Sequence, residues 1–196
     1  VSGDHAEVPV AARVRALEDQ VIAAGLTTDA ELDQILASVF TGSPAQGARI
    51  VARAWADPGY RERLLADGNA GAAELGLGVS ARSGADYRLK VVENTPQLHN
   101  VIVCTLCSCY PTSLLGPSPS WYKSVAYRSR VVREPRSVLA EFGLSLPGDV
   151  QIAVWDSSAE TRYLVLPAQP QAAAGLDQSA LAALVTRDGM IGTAAV

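Results

Sequence analysis

Apolar residues recur at helical spacing early in the chain. Val10, Val14, Leu17, Val21 and Ile22 fall on one face, with Arg13, Arg15, Glu18 and Asp19 on others, which predicts an amphipathic helix that Gly25 stops. Thr28-Asp29-Ala30-Glu31 reads as a capping box: the Thr28 hydroxyl can bond the third helical amide and Glu31 can reach back. The helix it opens would carry Leu32, Ile35, Leu36 and Val39 inward, until Gly42-Ser43-Pro44 breaks it. A third helix near 45–56 presents Ile50, Val51, Ala54 and Trp55. Asp57-Pro58 then restarts a short helix through Leu64 and Leu65, with Pro in the first turn.

The pattern changes after residue 68. A Gly- and Ala-rich stretch, 68–84, predicts a short helix and then a loop. Tyr87 to Glu93 alternates and is β-branched, which predicts a strand ended by Asn94-Thr95-Pro96. Val101-Ile102-Val103 is a short apolar run. The following 110–120, with three Pro and one Gly, predicts no regular structure. A helix is expected from Ser120 to about Arg130, another from Glu134-Pro135 to Gly143, strands over 149–156 and 161–167, a linker over 168–175, and a last helix over 176–187. The fold class is therefore α+β: a helical N-terminal arm, 1–68, followed by a mixed α/β layered domain, 69–196, that carries the cysteines.

Composition narrows the classes of function. Of 196 residues, 48% are apolar and 18% charged, enough apolar surface to offset the entropy of ordering. The net charge of −4 excludes a basic nucleic-acid footprint. No apolar run reaches the roughly 20 residues that span a bilayer, and no basic segment precedes an apolar one at the start. A cytoplasmic protein is expected, with no membrane or nucleic-acid partner. Low charge with abundant Ala and Val suits a surface covered by an obligate partner.

All three Cys lie within six residues: Cys104, Cys107 and Cys109. An odd, clustered count defeats a disulfide framework. Four chemistries compete. A zinc site would need His99 as fourth ligand, and no second knuckle exists. An iron–sulfur cluster lacks its fourth Cys. A redox C-x-x-C should open a helix, but Pro111 follows here. The fourth uses the main chain. In Cys107-Ser108-Cys109 two amide nitrogens lie between two sulfurs. If both lose their protons, the tripeptide becomes a planar N2S2 claw closed by five- and six-membered chelate rings. Cys104, a turn back, can cap it axially and leave a sixth position open. Amide ionisation demands a strongly polarising trivalent ion, and thiolates favour a transition metal. The open position would be Lewis acidic.

Val103-Cys104-Thr105-Leu106-Cys107-Ser108-Cys109-Tyr110-Pro111 closely resembles the metal-binding signature of nitrile hydratase alpha subunits. The likeness extends upstream to 47–55 and 92–96, and downstream to 121–124, 128–136, 159–163 and 184–188. The resemblance implies a hydro-lyase that hydrates a nitrile to the amide at low-spin Co(III), or less readily Fe(III), because Thr105 stands where cobalt members carry Thr. It implies Cys104 as axial thiolate, Cys107 as sulfinate, Cys109 as sulfenate, and the amides of Ser108 and Cys109 as ligands. It implies roles for Glu160 and Arg162 around the metal, a pocket lined by Tyr110, Thr112 and Trp121, and a beta-type partner, of one chain or two, that brings arginines to the oxidised sulfurs.

Two departures from the family pattern matter. Members commonly carry Trp where Thr112 stands. The smaller side chain predicts a wider pocket and a bulky or heteroaromatic nitrile, as in the branch that hydrates the nucleoside toyocamycin. A Gln that some members place near the site is Ala85 here. Two other readings remain open: the cobalt subunit of a thiocyanate hydrolase, whose cysteine motif is nearly the same, and a non-catalytic Cys3His zinc module using His99.

Overall fold

The computed structural model describes residues 10–39, 42–80, 86–107 and 109–196. Ser108 and Ala85 lie outside them. The chain divides into two compact units, Val1–Phe40 and Thr41–Val196.

The first unit holds α1 (Val10–Ala23) and α2 (Asp29–Val39). The expected capping box forms: Glu31 N donates to Thr28 Oγ1 at 3.3 Å and Thr28 N donates to Glu31 Oε2 at 2.9 Å. Among the described residues of these faces, Val14, Leu17 and Ile35 are exposed, while Val21, Ile22 and Leu32 are partly buried.

In the second unit come α3 (Pro44–Ala56), α4 (Pro58–Ala66) and α5 (Gly68–Ala73). Asp57 caps α4 through Tyr60 N, and Asp67 caps α5 through Ala70 N. The strands are β1 (Arg88–Glu93), β2 (Leu98–Val103), β3 (Gln151–Asp156) and β4 (Thr161–Leu166). They form two parallel pairs: β1 with β4, Arg88 opposite Thr161, and β2 with β3, Leu98 opposite Gln151. β2 also packs on β4, α5 on β1, and α3 on the C-terminal helix Gln178–Leu184. The core between them holds Ile50, Val51, Leu64, Ile102, Leu139 and Leu164, all fully buried.

The structural division falls after residue 40 rather than after 68. Helices α3 to α5 bury Ile50, Val51, Ala54, Leu64 and Ala72 in the same core as the strands, so they belong with the second unit. β2 is longer than its apolar run suggests, because His99 and Asn100 are buried with partners. Asn100 Nδ2 donates to Glu93 O at 2.7 Å, and Trp155 Nε1 donates to Asn100 Oδ1 at 2.8 Å.

Four other expectations need correction. The Pro-rich stretch contains one helical turn, α6 (Thr112–Leu115), whose Leu114 and Leu115 are buried. The helix expected over 120–130 is split: a tight turn, Ser120–Lys123, ends at extended Ser124, whose hydroxyl caps α7 (Val125–Arg130). α8 (Pro135–Glu141) follows, closed by Gly143 as expected. Residues 168–175 are not a plain linker, since Ala173 is buried in a short helical turn. The last helix is two: α9 (Gln178–Leu184) and α10 (Arg187–Ile191). Val185 turns extended, and Thr186 starts α10 by accepting from Gly189 N.

Candidate metal centre

The cysteines occupy the loop that leaves the carboxyl end of β2. Val103 is the last paired residue of that strand, opposite Asp156 at the end of β3. Ser157 N closes the pair by donating to Val103 O at 2.7 Å. Cys104 is therefore buried at the strand end, Cys107 is exposed and Cys109 lies between. Their three sulfurs lie within 4.8 Å of one another. Cys104 Sγ is 3.2 Å from Cys107 Sγ, which is 3.1 Å from Cys109 Sγ. Cys107 N also points inward, donating to Cys104 Sγ at 3.3 Å.

Side chains from other elements hold the loop's outer face. Asp156 accepts from Thr105 N at 2.9 Å and from Thr105 Oγ1 at 2.5 Å. Arg128 Nη1, on α7, donates to Thr105 O and Cys107 O, each at 3.3 Å. Tyr122 OH donates to Cys109 O at 3.0 Å, and Tyr127 OH to Ile102 O at 2.7 Å. None of Asp156, Arg128, Tyr122 and Tyr127 was marked as a site residue by the sequence pattern. Tyr122 and Arg128 fall in the stretches that resemble the family, 121–124 and 128–136, but no sequence pattern assigned them a role, and nothing pointed to Asp156 or Tyr127.

This loop fits a metal ion. Burial and the neighbouring Cys107 push the Cys109 thiol up to about 12, while the Arg162 cation opposes the rise. Holding Cys109 as a thiolate there calls for a compensating positive charge, which a bound metal would supply. The donor set gathered here is three soft sulfurs, which suits a transition metal.

The other expected residues are placed unevenly. Arg162, on β4, is buried with its guanidinium 5.1 Å from the Tyr87 ring centroid, and its Nε and Nη1 have no partner among the described residues. Glu160 is exposed in the turn before β4, where the Ser158 hydroxyl holds its carboxyl below the usual range. The two form no ion pair with each other among the described residues. Tyr110 is buried edge-on to Tyr122, centroids 5.1 Å apart. Thr112 begins α6, half-buried, its hydroxyl donating to Tyr110 O at 3.2 Å. The turn is tightly backed: a Cβ on Gly42 would lie 1.9 Å from Thr112 O. Trp121 packs into an aromatic cluster, 4.9 Å from Tyr127 and 4.7 Å from Phe142. It is the neighbouring Tyr122 that reaches the loop.

His99 does not join the cluster. It sits at the opposite end of β2, five residues and about 16 Å along the strand from Cys104. Its Nε2 is 2.7 Å from Gly192 O and its Nδ1 3.3 Å from Asn94 Nδ2. Both ring nitrogens are engaged there, which removes the fourth ligand of a Cys3His zinc module.

Fold and loop together define a metal-binding α/β subunit with a thiolate-rich claw at the end of a parallel strand pair. The chain belongs to the nitrile hydratase alpha-chain family, whose profile matches residues 8–194. The low-molecular-weight cobalt-containing nitrile hydratase subunit alpha of Rhodococcus rhodochrous is 48% identical over 185 residues, 93% of this chain and 87% of that one. Thiocyanate hydrolase subunit gamma of Thiobacillus thioparus is 47% identical over 163 residues, 80% of this chain and 67% of that one. Among solved structures, a double mutant of Fe-type nitrile hydratase from Comamonas testosteroni Ni1 superposes with a TM-score of 0.84 at 40% identity, covering 95% of this chain and 89% of that one.

Proposed function

We propose that this chain is the metal-bearing alpha-type subunit of a cobalt nitrile hydratase, and that it hydrates a nitrile to the amide together with a beta-type partner. The observation that carries the reading is the trio of cysteine sulfurs, gathered within 4.8 Å at the end of β2. Cys104, Cys107 and Cys109 would hold the ion with the main-chain nitrogens of Ser108 and Cys109. Bound there, trivalent cobalt supplies a Lewis-acidic position that polarises the nitrile.

The chain's own residues do the rest. Cys104, buried, would close the inner side of the claw, and the more accessible Cys107 and Cys109 its open side. Cys109, as sulfenate, would take the proton of the water that attacks the nitrile carbon, or attack that carbon itself and be regenerated by water, so that one water is consumed on either route. Cys107, as sulfinate, adds acceptors for partner-subunit cations. Arg162 brings buried positive charge to the oxidised sulfurs, and Glu160 stands at the rim, free to orient groups of the partner. Tyr110 and Thr112 line the substrate side, and Thr112 leaves room for a bulky or heteroaromatic nitrile. Trp121 supports that wall from the aromatic cluster.

The partner reading has its own support. Leu106 within the loop is 92% exposed, and Val125 and Val132 are exposed beside it. Thr105, Val125, Arg128, Ser129, Val132 and Arg133 line an open hollow of about 390 Å³ next to the cysteines. An apolar rim around a reactive centre is what a second subunit covers. The cysteines form no disulfide among the described residues, which suits the reducing cytoplasm.

A thiocyanate hydrolase activity is the second reading, favoured by the 47% identity to its gamma subunit. One set of measurements separates the two. The chain is co-purified with its genomic neighbours, its metal is determined by elemental analysis, and nitrile and thiocyanate turnover are compared. The proposal expects cobalt, three added oxygens on the cysteine peptide, hydration of large nitriles in preference to acrylonitrile, and a hetero-oligomeric solution mass. Thiocyanate turnover without nitrile hydration would replace it with the second reading, and zinc in a catalytically silent protein would remove both.

A further inference from the structure

Four carbonyls along one stretch of main chain are captured from a single downstream segment. Tyr127 OH takes Ile102 O, Arg128 Nη1 takes both Thr105 O and Cys107 O, and Tyr122 OH takes Cys109 O. Tyr122 and Tyr127 are buried, and α7 is fixed by its Ser124 cap. The captured carbonyls at 105, 107 and 109 are alternate residues of the cysteine loop. With them drawn outward, Cys107 N turns in toward Cys104 Sγ and the three sulfurs converge. Cys107 O matters most, because it belongs to the peptide group whose nitrogen is that of Ser108.

We propose that Arg128 is a positioning residue for the metal loop: its guanidinium, bridging the carbonyls of Thr105 and Cys107, holds those carbonyls outward and lets the sulfurs converge before any metal arrives. The claw is thus built by the 122–128 segment and not wrapped by the ion. Arg suits the task because a single guanidinium nitrogen carries two N–H donors in a fixed plane, and its cation sits against the negative ends of two peptide dipoles. The proposal rests on the metal-site reading for its consequence, cobalt retention. Its structural half stands independently.

The test uses the full chain, co-purified with its partner subunit, from cobalt-supplemented and cobalt-depleted cultures. Amide hydrogen exchange of the 104–110 peptide is measured in the depleted protein, and cobalt loss to a chelator in the loaded one, followed by the sulfur-to-metal absorption band. Arg128→Met is expected to raise exchange at 104–110 about tenfold, the scale of a lost hydrogen bond from a charged group, and to speed cobalt loss similarly. Arg128→Lys, which keeps the cation and its donors, should restore most of both. Arg136→Met is the control: Arg136 bonds the carbonyls of Leu146, Pro147 and Val150, away from the loop. It should loosen 146–150 and leave the cysteine peptide and the cobalt band unchanged. Wild-type exchange at 104–110 in Arg128→Met would overturn the proposal, as would failure of Arg128→Lys to rescue. Should Arg128→Met not fold, wild-type exchange in Arg128→Gln would overturn it equally. If the protein held no cobalt at all, the metal reading would fail while exchange in the depleted protein still decided the role of Arg128.

Discussion

At the scale of single residues, the loop is held by interactions that sequence spacing does not encode. Thr105 is one example. The family resemblance ties it to cobalt, yet the structure gives it a second task, since its amide and hydroxyl both bond Asp156. Asp156→Asn removes the charge that strengthens both bonds. The pair is solvent-accessible, so the expected cost is about 1 kcal/mol, read as severalfold faster cobalt release with little change in thermal midpoint. Thr105→Ser keeps the hydroxyl and should keep the clamp. If release were as fast in Thr105→Ser as in Asp156→Asn, the methyl group and not the hydrogen bond would be holding the loop. Trp121 shows the converse: the family resemblance implies a pocket residue, but neighbouring rings surround it, and Tyr122 makes the contact with the loop.

At the scale of elements, what was legible followed local rules. The capping box at Thr28, the Pro-led starts of α3, α4 and α8, and the Gly143 stop are each written in a few adjacent residues. The breaks inside apparent helices were not legible. Ser124 and Thr186 divide continuous helical text because their hydroxyls cap a new helix, and only the packing of both halves makes that turn worthwhile. Gly192 shows how tight the packing is. It ends α10 at φ +91°, and a Cβ there would lie 2.0 Å from Asn100 O in β2. Gly192→Ala should cost about 2–4 kcal/mol, combining a disfavoured backbone with a clash against main chain. A denaturant midpoint unchanged from wild type would mean the β2–α10 contact is looser than it stands here.

At the scale of the whole molecule, His99 ties the C-terminal segment to the sheet. Burial lowers its pKa from the ordinary 6.5, while the bond to Gly192 O opposes the shift. The neutral ring is therefore the form the fold prefers. Protonation would place a second N–H against the Asn94 amide, whose oxygen is already taken by Asn100 N at 2.8 Å. The sign follows from linkage: the unfolded chain binds more protons, so this contribution is complete above pH 6.5 and is lost as pH falls from there through the lower folded value. Thermal midpoints measured across that window should drop more steeply in the wild type than in His99→Gln, which cannot titrate. Parallel curves would show that His99 does not set the acid limit. The exposed apolar faces add a second expectation: the chain expressed alone should self-associate, and its partner should suppress this, as sedimentation would show.

The sequence by itself determined the chemistry. Three cysteines in six residues bring three sulfurs close together in almost any fold, which points to a metal, and the local caps and stops specify most helices. Tertiary structure decided which side chains serve that claw. Asp156, Arg128 and Tyr122 meet the loop across gaps of 51, 21 and 13 residues, and His99, close in sequence, is carried to the far end of its strand. Covalent spacing is local and is legible in the chain. The contacts that orient it arise only when β2 and β3 align and α7 docks against them.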